Sequence, residues 1–425
     1  MTTSKPADPA EPANLSIASA PCDLSAVPGL LGDIASLGNN HDFSADREAR
    51  LSLIEKARSL VSALETPREA MSRHIGAETA SFFSIGLGVE AGLFRELATN
   101  NGAAKTAPEL AKALGFDINA LRPILRHLTA MKHIVQTNPD EYAPNNFSLF
   151  LSDPVLSAGY PLYRDVCIPP MLHLHKWLAT KSYAAPSSII DNPFTFGHQT
   201  SSSLFEFLAS HPVHNTRFNH HMRSRRLGRP SWFHPSIYPV TERLLTGCGP
   251  LSSNQFVDVG GNLGKDLLEF SRAFPQLRGS LVLQDQAAMI GAAPGGELEA
   301  AGVETMVHDF FAPQPVEGAR AYYLHSILHD WPDEQSAEIV GQIKKAMKPG
   351  YSRLLVNEHV IPSLGVSWEV SYLDIYMMIL CGARERTEED WVALLEGKCG
   401  LRVLKVWNPG NGVEGIIECE VPLAN

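Results

Sequence analysis

No run of 18 consecutive apolar residues occurs in the 425-residue chain, so no segment reads as a membrane-spanning helix. Paired cysteines are lacking too. The six cysteines are scattered at 22, 167, 248, 381, 399 and 419 with no CxxC, which excludes a disulfide framework and a cysteine zinc cluster and fits a reducing interior. Excess positive charge is also missing. Lys and Arg number 35 against 46 Asp and Glu, a net charge of −11, whereas a nucleic-acid surface needs a basic face to displace counterions. The opening MTTSKPADPAEPANLSIASAPCDLSAVPGL has no basic stretch followed by an apolar core, so it does not read as a secretory leader. By elimination the expectation is a cytoplasmic enzyme with no nucleic-acid and no membrane partner.

What the chain does have is apolar residues, 44% of the total, enough for a sizeable core in two or three domains. Residues 1–43 are rich in Pro, Ala and Ser and read as a poorly ordered arm. From 44 to 155 the pattern turns helical. In SADREARLSLIEKARSLVSALET, Leu51, Leu53, Ile54, Ala57, Leu60, Val61 and Leu64 recur at helical spacing until Pro67 closes the run. SFFSIGLGVEAGLFRELA (81–98) reads as one apolar helix. The next stretch spells a short helix over 107–114, a glycine turn, a longer helix over about 118–132 and a hairpin tipped by Asn138, Pro139 and Asp140. That order is a winged-helix pattern, open to DNA binding or to a dimerisation scaffold, and the acidic chain favours the scaffold and a homodimer. Residues 156–235 are helical and aromatic-rich, a linker layer expected to contribute to a substrate pocket. From 236 to 425 strand-like and helix-like runs alternate, which argues an α/β domain with a doubly wound parallel sheet. The final hairpin, RVLKVWN with GVEGIIECEV, makes the sheet mixed at one edge.

FVDVGGNLGKDLLEF (256–270) is an apolar strand, a glycine-rich turn and a helix start. Gly260, Gly261 and Gly264 permit a tight turn and close approach of a ligand. The spacing is not the dinucleotide fingerprint, and the Lys-Ser/Thr of a phosphate-binding loop is absent. Asp258 would repel a pyrophosphate but suits a ligand with an amine and no phosphate, such as S-adenosylmethionine, whose carboxylate can meet N–H groups at the helix start. Asp285 ends the next strand, where an acid can accept hydrogen bonds from ribose hydroxyls. Asp309 precedes Phe310, a pairing able to bind and sandwich an adenine. Each acid alone reads as well as a solvated loop carboxylate; at the ends of successive strands they favour an adenosyl pocket.

YYLHSILHDWPDEQ (322–335) sets His325 and His329 four residues apart. Together with FVDVGGNLG, LVLQDQ, AMKPGYSRLLVNEHVIP and CGARERTEEDW, it resembles the S-adenosylmethionine-dependent, metal-independent O-methyltransferases of plant and fungal secondary metabolism, most densely over 205–420. The resemblance implies a Rossmann-like methyltransferase domain with a mixed seven-stranded sheet and a mainly helical winged-helix dimerisation domain. It implies Gly260 at the methionine part of the cofactor, Asp285 at the ribose, and Asp309 with Phe310 at the adenine. It implies His329 as the general base that takes the hydroxyl proton, with Glu358 and Glu385 beside it to orient it. A histidine near its natural pKa suits that task at neutral pH, and a carboxylate fixes its tautomer. His325 stands where the family usually has Arg or Lys to meet the methionine carboxylate, and a neutral imidazole is a weaker partner. Asn262 stands where a third glycine is common, tolerable at negative φ. The i, i+4 histidines also mimic a metal pair, but Pro332 follows and no third ligand stands at useful spacing, so no metal is expected.

Acceptor specificity is expected from Phe218, Met222, His173, Trp232 and Met378, adaptable walls for a flat apolar molecule, though each alone reads equally as core. The basic run Arg223, Arg225, Arg226 and Arg229 reads either as a solvated face or as a clamp for an acidic substrate. The leading expectation is methyl transfer to a phenolic or enolic hydroxyl of an aromatic or polyketide-type metabolite. The rival keeps the cofactor as a fixed positive charge for a cyclisation, pericyclic reaction or dehydration. In such members the HDW histidine tends to be replaced, whereas His329 is present here. A non-catalytic regulator is the third reading.

Overall fold

The computed structural model describes residues 15–246, 255–410 and 412–423. The first part of the expected arm, residues 1–14, and Cys248 lie outside them. The chain divides into two compact units, up to Pro161 and from Leu162 on.

In the first unit the expected arm is corrected: Val27–Asn40 is a helix, α1. Leu30, Leu31, Ile34 and Leu37 give it one apolar face, a signal that Gly29, Gly32 and Gly38 dilute. It is tied to α2 (Arg47–Leu64) by the Asp33–Lys56 ion pair, and Asp46 caps α2 by accepting from Ala49 N. Pro67 does more than close α2, because it opens a further helical turn capped by Thr66 and Glu69. The expected single helix over 81–98 is two: α3 (Thr79–Ala91) ends at Gly92, whose φ of +79° breaks the helix. A short strand β1 (Lys105–Thr106) leads into α4 (Ala107–Leu114), started by the Thr106/Glu109 capping box and stopped at Gly115. Then come α5 (Ile118–Ala130) and the antiparallel hairpin β2 (Val135–Asn138) and β3 (Glu141–Ala143), with β1 completing a three-stranded sheet. Arg122 of α5 is neutralised by Asp140 at the hairpin tip, 2.8 Å away.

The second unit carries α6 (Ile168–Thr180) and α7 (Pro212–Arg225) ahead of its sheet. The sheet begins with β4 (Phe256–Val259), α8 (Lys265–Ala273), β5 (Leu281–Asp285), β6 (Val303–Val307) and β7 (Ala321–His325). It continues through α9 (Asp333–Ala346), β8 (Arg353–Glu358), the short β9 (Val360–Ile361), α10 (Trp368–Cys381) and the short β10 (Arg386–Thr387), and ends with β11 (Arg402–Trp407) and β12 (Gly415–Glu420). The seven main strands run in the order β11-β12-β8-β7-β4-β5-β6. Those from β8 to β6 are parallel, while β12 and β11 are antiparallel at the edge. Alternate residues of the central strands feed separate cores, as a sheet buried on both faces requires. Val257, Val282, Leu324 and Val356 enter one core; Phe256, Leu281, Tyr323 and Leu355 enter the other. Among the described residues no helix is long and apolar enough to cross a membrane.

Candidate active site

The expected polar residues fall at the C-terminal ends of the parallel strands, where open α/β sheets bind ligands. Gly260 and Gly261 follow β4, Asp285 ends β5, Asp309 and Phe310 follow β6, His325 ends β7 and Glu358 ends β8. Gly260 has φ +77°, and a Cβ there would lie 2.7 Å from Ile327 Cδ1. A Cβ on Gly261 would lie within 2.5 Å of the Asp258 carboxylate. The glycine loop is therefore pressed against both that carboxylate and the turn that carries His329. Asn262 departs from expectation with φ +53°; an asparagine tolerates this left-handed conformation, and its N–H donates to Asp285 Oδ2 at 2.8 Å. Asp258 is buried, neither of its carboxylate oxygens has a partner among the described residues, and burial pushes its pKa well up. Phe310 packs edge-on to Trp331 and beside Gly260, and Asp309 accepts from Phe311 N.

His329 sits in a tight turn, Leu328–Asp330, just beyond β7, and is buried. Its Nδ1 lies 2.7 Å from Glu385 Oε1 and 3.7 Å from Glu358 Oε2. Its Nε2 has no hydrogen bond among the described residues, Asp330 Oδ1 being 3.6 Å away. The two glutamates, 27 positions apart in sequence, are united by the parallel pairing of β9 with β10, Val360 opposite Arg386. Glu358 acts mainly on the backbone: its Oε1 accepts from the N–H groups of Ile327 at 2.9 Å, Leu328 at 2.8 Å and His329 at 3.4 Å. Burial opposes a charge on His329, but Glu358, Glu385 and Asp330 override it and hold the pKa up at about 10. The expected unperturbed histidine is corrected accordingly. Burial also raises Glu358 to about 7 and Asp330 to about 6; for Glu385 burial is outweighed by His329, and its pKa is lowered.

His325 has a set of partners separate from that of His329. Its Nδ1 lies 2.6 Å from Asp266 and its Nε2 3.6 Å from Glu414. Burial and Arg226 disfavour its charge, yet Asp266 and Glu414 prevail and raise its pKa to about 9. Where a neutral imidazole was expected, two carboxylates therefore favour the charged form. A different trio, His329, Glu358 and Glu385, brings three ligand-type atoms within 4.8 Å of one another. In it Glu358 Oε1 already accepts from backbone N–H groups, and the Nδ1–Glu385 hydrogen bond accounts for the short approach.

The expected acceptor residues divide. Phe218 and Met378 pack on one apolar cluster with Tyr163 and Tyr376, and Phe218 reaches Trp331 through the intervening ring of Phe205. Met222 lies half-buried one turn further along α7. Trp232 does not join them: its ring stacks 4.8 Å from Tyr323 in the core beneath β4 and β7. His173 is held by its own helix, Nδ1 against Pro169 O at 2.9 Å, with its ring against Phe196. Sequence reasoning missed Arg386. Its fully buried guanidinium binds the Leu328 and Trp331 carbonyls and Asp333, clamping the turn on which His329 rides. An arginine next to Glu385 in ARERTEE was the available signal.

Comparison with known proteins agrees with this geometry. Residues 191–401 match the O-methyltransferase domain family. The chain is 31% identical over 398 residues to O-methyltransferase mpaG of Penicillium brevicompactum, covering 92% of this chain and 98% of that one. It is 35% identical over 322 residues to demethylsterigmatocystin 6-O-methyltransferase of Aspergillus parasiticus, covering 75% and 80%. Among solved structures, LepI in complex with S-adenosylmethionine superposes with a TM-score of 0.83 at 28% identity over 93% of this chain and 99% of that one. OxaC in complex with S-adenosylhomocysteine and oxaline does so with 0.81 at 26% over the same shares.

Proposed function

Since the chain belongs to the O-methyltransferase family and uses S-adenosylmethionine, we propose that it methylates a phenolic or enolic hydroxyl of a fungal secondary metabolite, with His329 as the general base. The observation that carries this reading is the His329 Nδ1–Glu385 hydrogen bond, which leaves Nε2 free to face an acceptor hydroxyl. Bound S-adenosylmethionine supplies an electrophilic methyl group. The residues present fit it: the orphaned Asp258 carboxylate suits its ammonium, and the glycines let the loop pack closely against that carboxylate. Asp285 would meet the ribose, and Asp309 with Phe310 the adenine. Pressing the glycine loop against Ile327 fixes the distance between cofactor and base, as an in-line displacement demands. Neutral His329 takes the hydroxyl proton on Nε2, while Glu385 holds the proton on Nδ1 and stabilises the imidazolium that forms. A homodimer built on the first unit completes the proposal.

A second reading has an observation behind it: a solved structure described as a pericyclic reaction enzyme superposes with a TM-score of 0.83 at 28% identity. Product analysis with methyl-labelled S-adenosylmethionine separates the two. Across a panel of phenols and enols, a labelled product heavier by one methyl is expected, also in the presence of a chelator. It should fall by a factor on the order of 10²–10⁴ in His329→Ala while cofactor affinity holds. A cofactor-dependent product of unchanged mass would establish the cyclase instead.

A further inference from the structure

Gln284 is a buried amide where the interior of a parallel sheet ordinarily takes Val, Ile or Leu. It stands on β5 immediately before Asp285, and its side chain meets Gln314. Gln314 lies in the loop after Asp309 and Phe310, between Pro313 and Pro315, which stiffen the backbone on either side of it. The two amides bond reciprocally. Gln284 Nε2 donates to Gln314 Oε1 at 2.8 Å, and Gln314 Nε2 donates to Gln284 Oε1 at 2.8 Å. Gln314 Oε1 also accepts from Val316 N at 3.0 Å, which fixes the way both amides face. Two leucines of similar bulk would fill the same buried space with no hydrogen bonds to satisfy. What an amide pair adds is a defined distance and register.

The backbone of the same stretch of β5 holds the neighbouring pieces. Gln284 O accepts from Gly260 N at 2.8 Å and from Gly261 N at 3.2 Å, and Asp285 O accepts from His308 N at 2.9 Å. The loop that carries Asp309 and Phe310 is thus tied to β5 at both ends, by His308 before it and by Gln314 after it. We propose that Gln284 and Gln314 are positioning residues for the cofactor: their paired amides hold Asp309 and Phe310 at the distance from Asp285 that an adenosine needs. The inference rests on the reading of those three residues as the adenosyl pocket.

The test is equilibrium binding of S-adenosylhomocysteine to the full chain, with Tm and hydrogen exchange of the cofactor-free protein measured alongside. The variants are Gln284→Leu, Gln314→Leu, the two together, and Asp285→Ala. Each single leucine strands the partner's amide, so Tm falls and affinity drops roughly ten-fold or more. The double variant removes both amides, so Tm recovers while affinity stays as low as in the singles. In it the segment 308–316 should exchange faster than in the wild type, and the sheet strands should not. Affinity that recovers along with Tm in the double variant would overturn the proposal, making the pair a stability element only. Unchanged exchange in 308–316, or faster exchange throughout the sheet, would overturn it as well. Asp285→Ala separates the two readings. If it weakens binding and the leucine variants do not, this inference falls alone; if it leaves binding unchanged, the adenosyl pocket is misassigned and the inference falls with it.

Discussion

Glu385 is a single oxygen's contact away from changing when this enzyme works. Its Oε1 meets His329 Nδ1 at 2.7 Å, and with Glu358 and Asp330 it outweighs burial to hold the imidazole near pKa 10. The base acts when neutral, so kcat/KM for an acceptor should climb with pH through the neutral range and level off only toward pH 10. Glu385→Gln removes a carboxylate that favours the imidazolium, so the rising limb moves to lower pH. The plateau should drop by a factor on the order of 10², because the tautomer is no longer enforced. Stability follows the same sign. A pKa raised on folding gives stabilisation that is whole below the unfolded value of about 6.5 and is lost as pH climbs through the folded value. The Tm advantage of the wild type over Glu385→Gln should therefore shrink between neutral pH and pH 10. A variant whose pH–rate limb stays in place would show that Glu385 does not tune His329.

Elements rather than residues decide where His329 points, and Arg386 at the start of β10 is the joint between them. Its side chain is fully buried, its partners are two carbonyls of the His329 turn and Asp333 at the start of α9, and its plane covers Trp391 at 4.9 Å. Arg386→Met keeps the bulk but leaves those acceptors unmet. With Asp333 partly exposed, the cost should be roughly 2–3 kcal/mol, a Tm lower by about 5–10 °C, with kcat reduced more than cofactor affinity. Undiminished kcat would mean that the turn holds itself. The strands, the glycine loop and the helix–helix–hairpin order near 107–143 were legible in the sequence, because apolar runs, capping pairs and glycines act locally. Glu385 could be placed beside His329 only by resemblance, and Arg386 was missed, since the β9–β10 pairing that brings them there leaves no local pattern. The role of Trp232 was not legible for the complementary reason: an aromatic before a sheet reads the same whether it lines a pocket or fills a core. Gly92 was overlooked as a breaker because its neighbours on both sides are apolar, and the α1 face was diluted by three glycines.

At the scale of the whole molecule, the first unit has more apolar surface than one copy can use. α3 buries Ile85 and Gly88 on one side, while Phe83 and Leu87, four residues apart on another, remain 47% and 41% exposed. Ile75, just before α3, is 70% exposed, and Val61 and Leu64 near the end of α2 are also left in water. A helix apolar all round is ordinarily buried all round, so these faces call for a partner, and a second copy supplies an identical set. The prediction is a homodimer at micromolar concentration, read by light scattering as twice the mass of the chain. Phe83→Glu combined with Leu87→Glu should convert it to a monomer of unchanged secondary structure, because each charge would otherwise be buried unpaired in the interface. The β-sheet unit contains every residue assigned here to chemistry, from Asp258 to Glu385, so cofactor binding should survive in the monomer. If the wild type itself scatters as a monomer, the exposed face of α3 has some other use and the dimer is lost from the proposal, whereas the assignment of His329 is untouched.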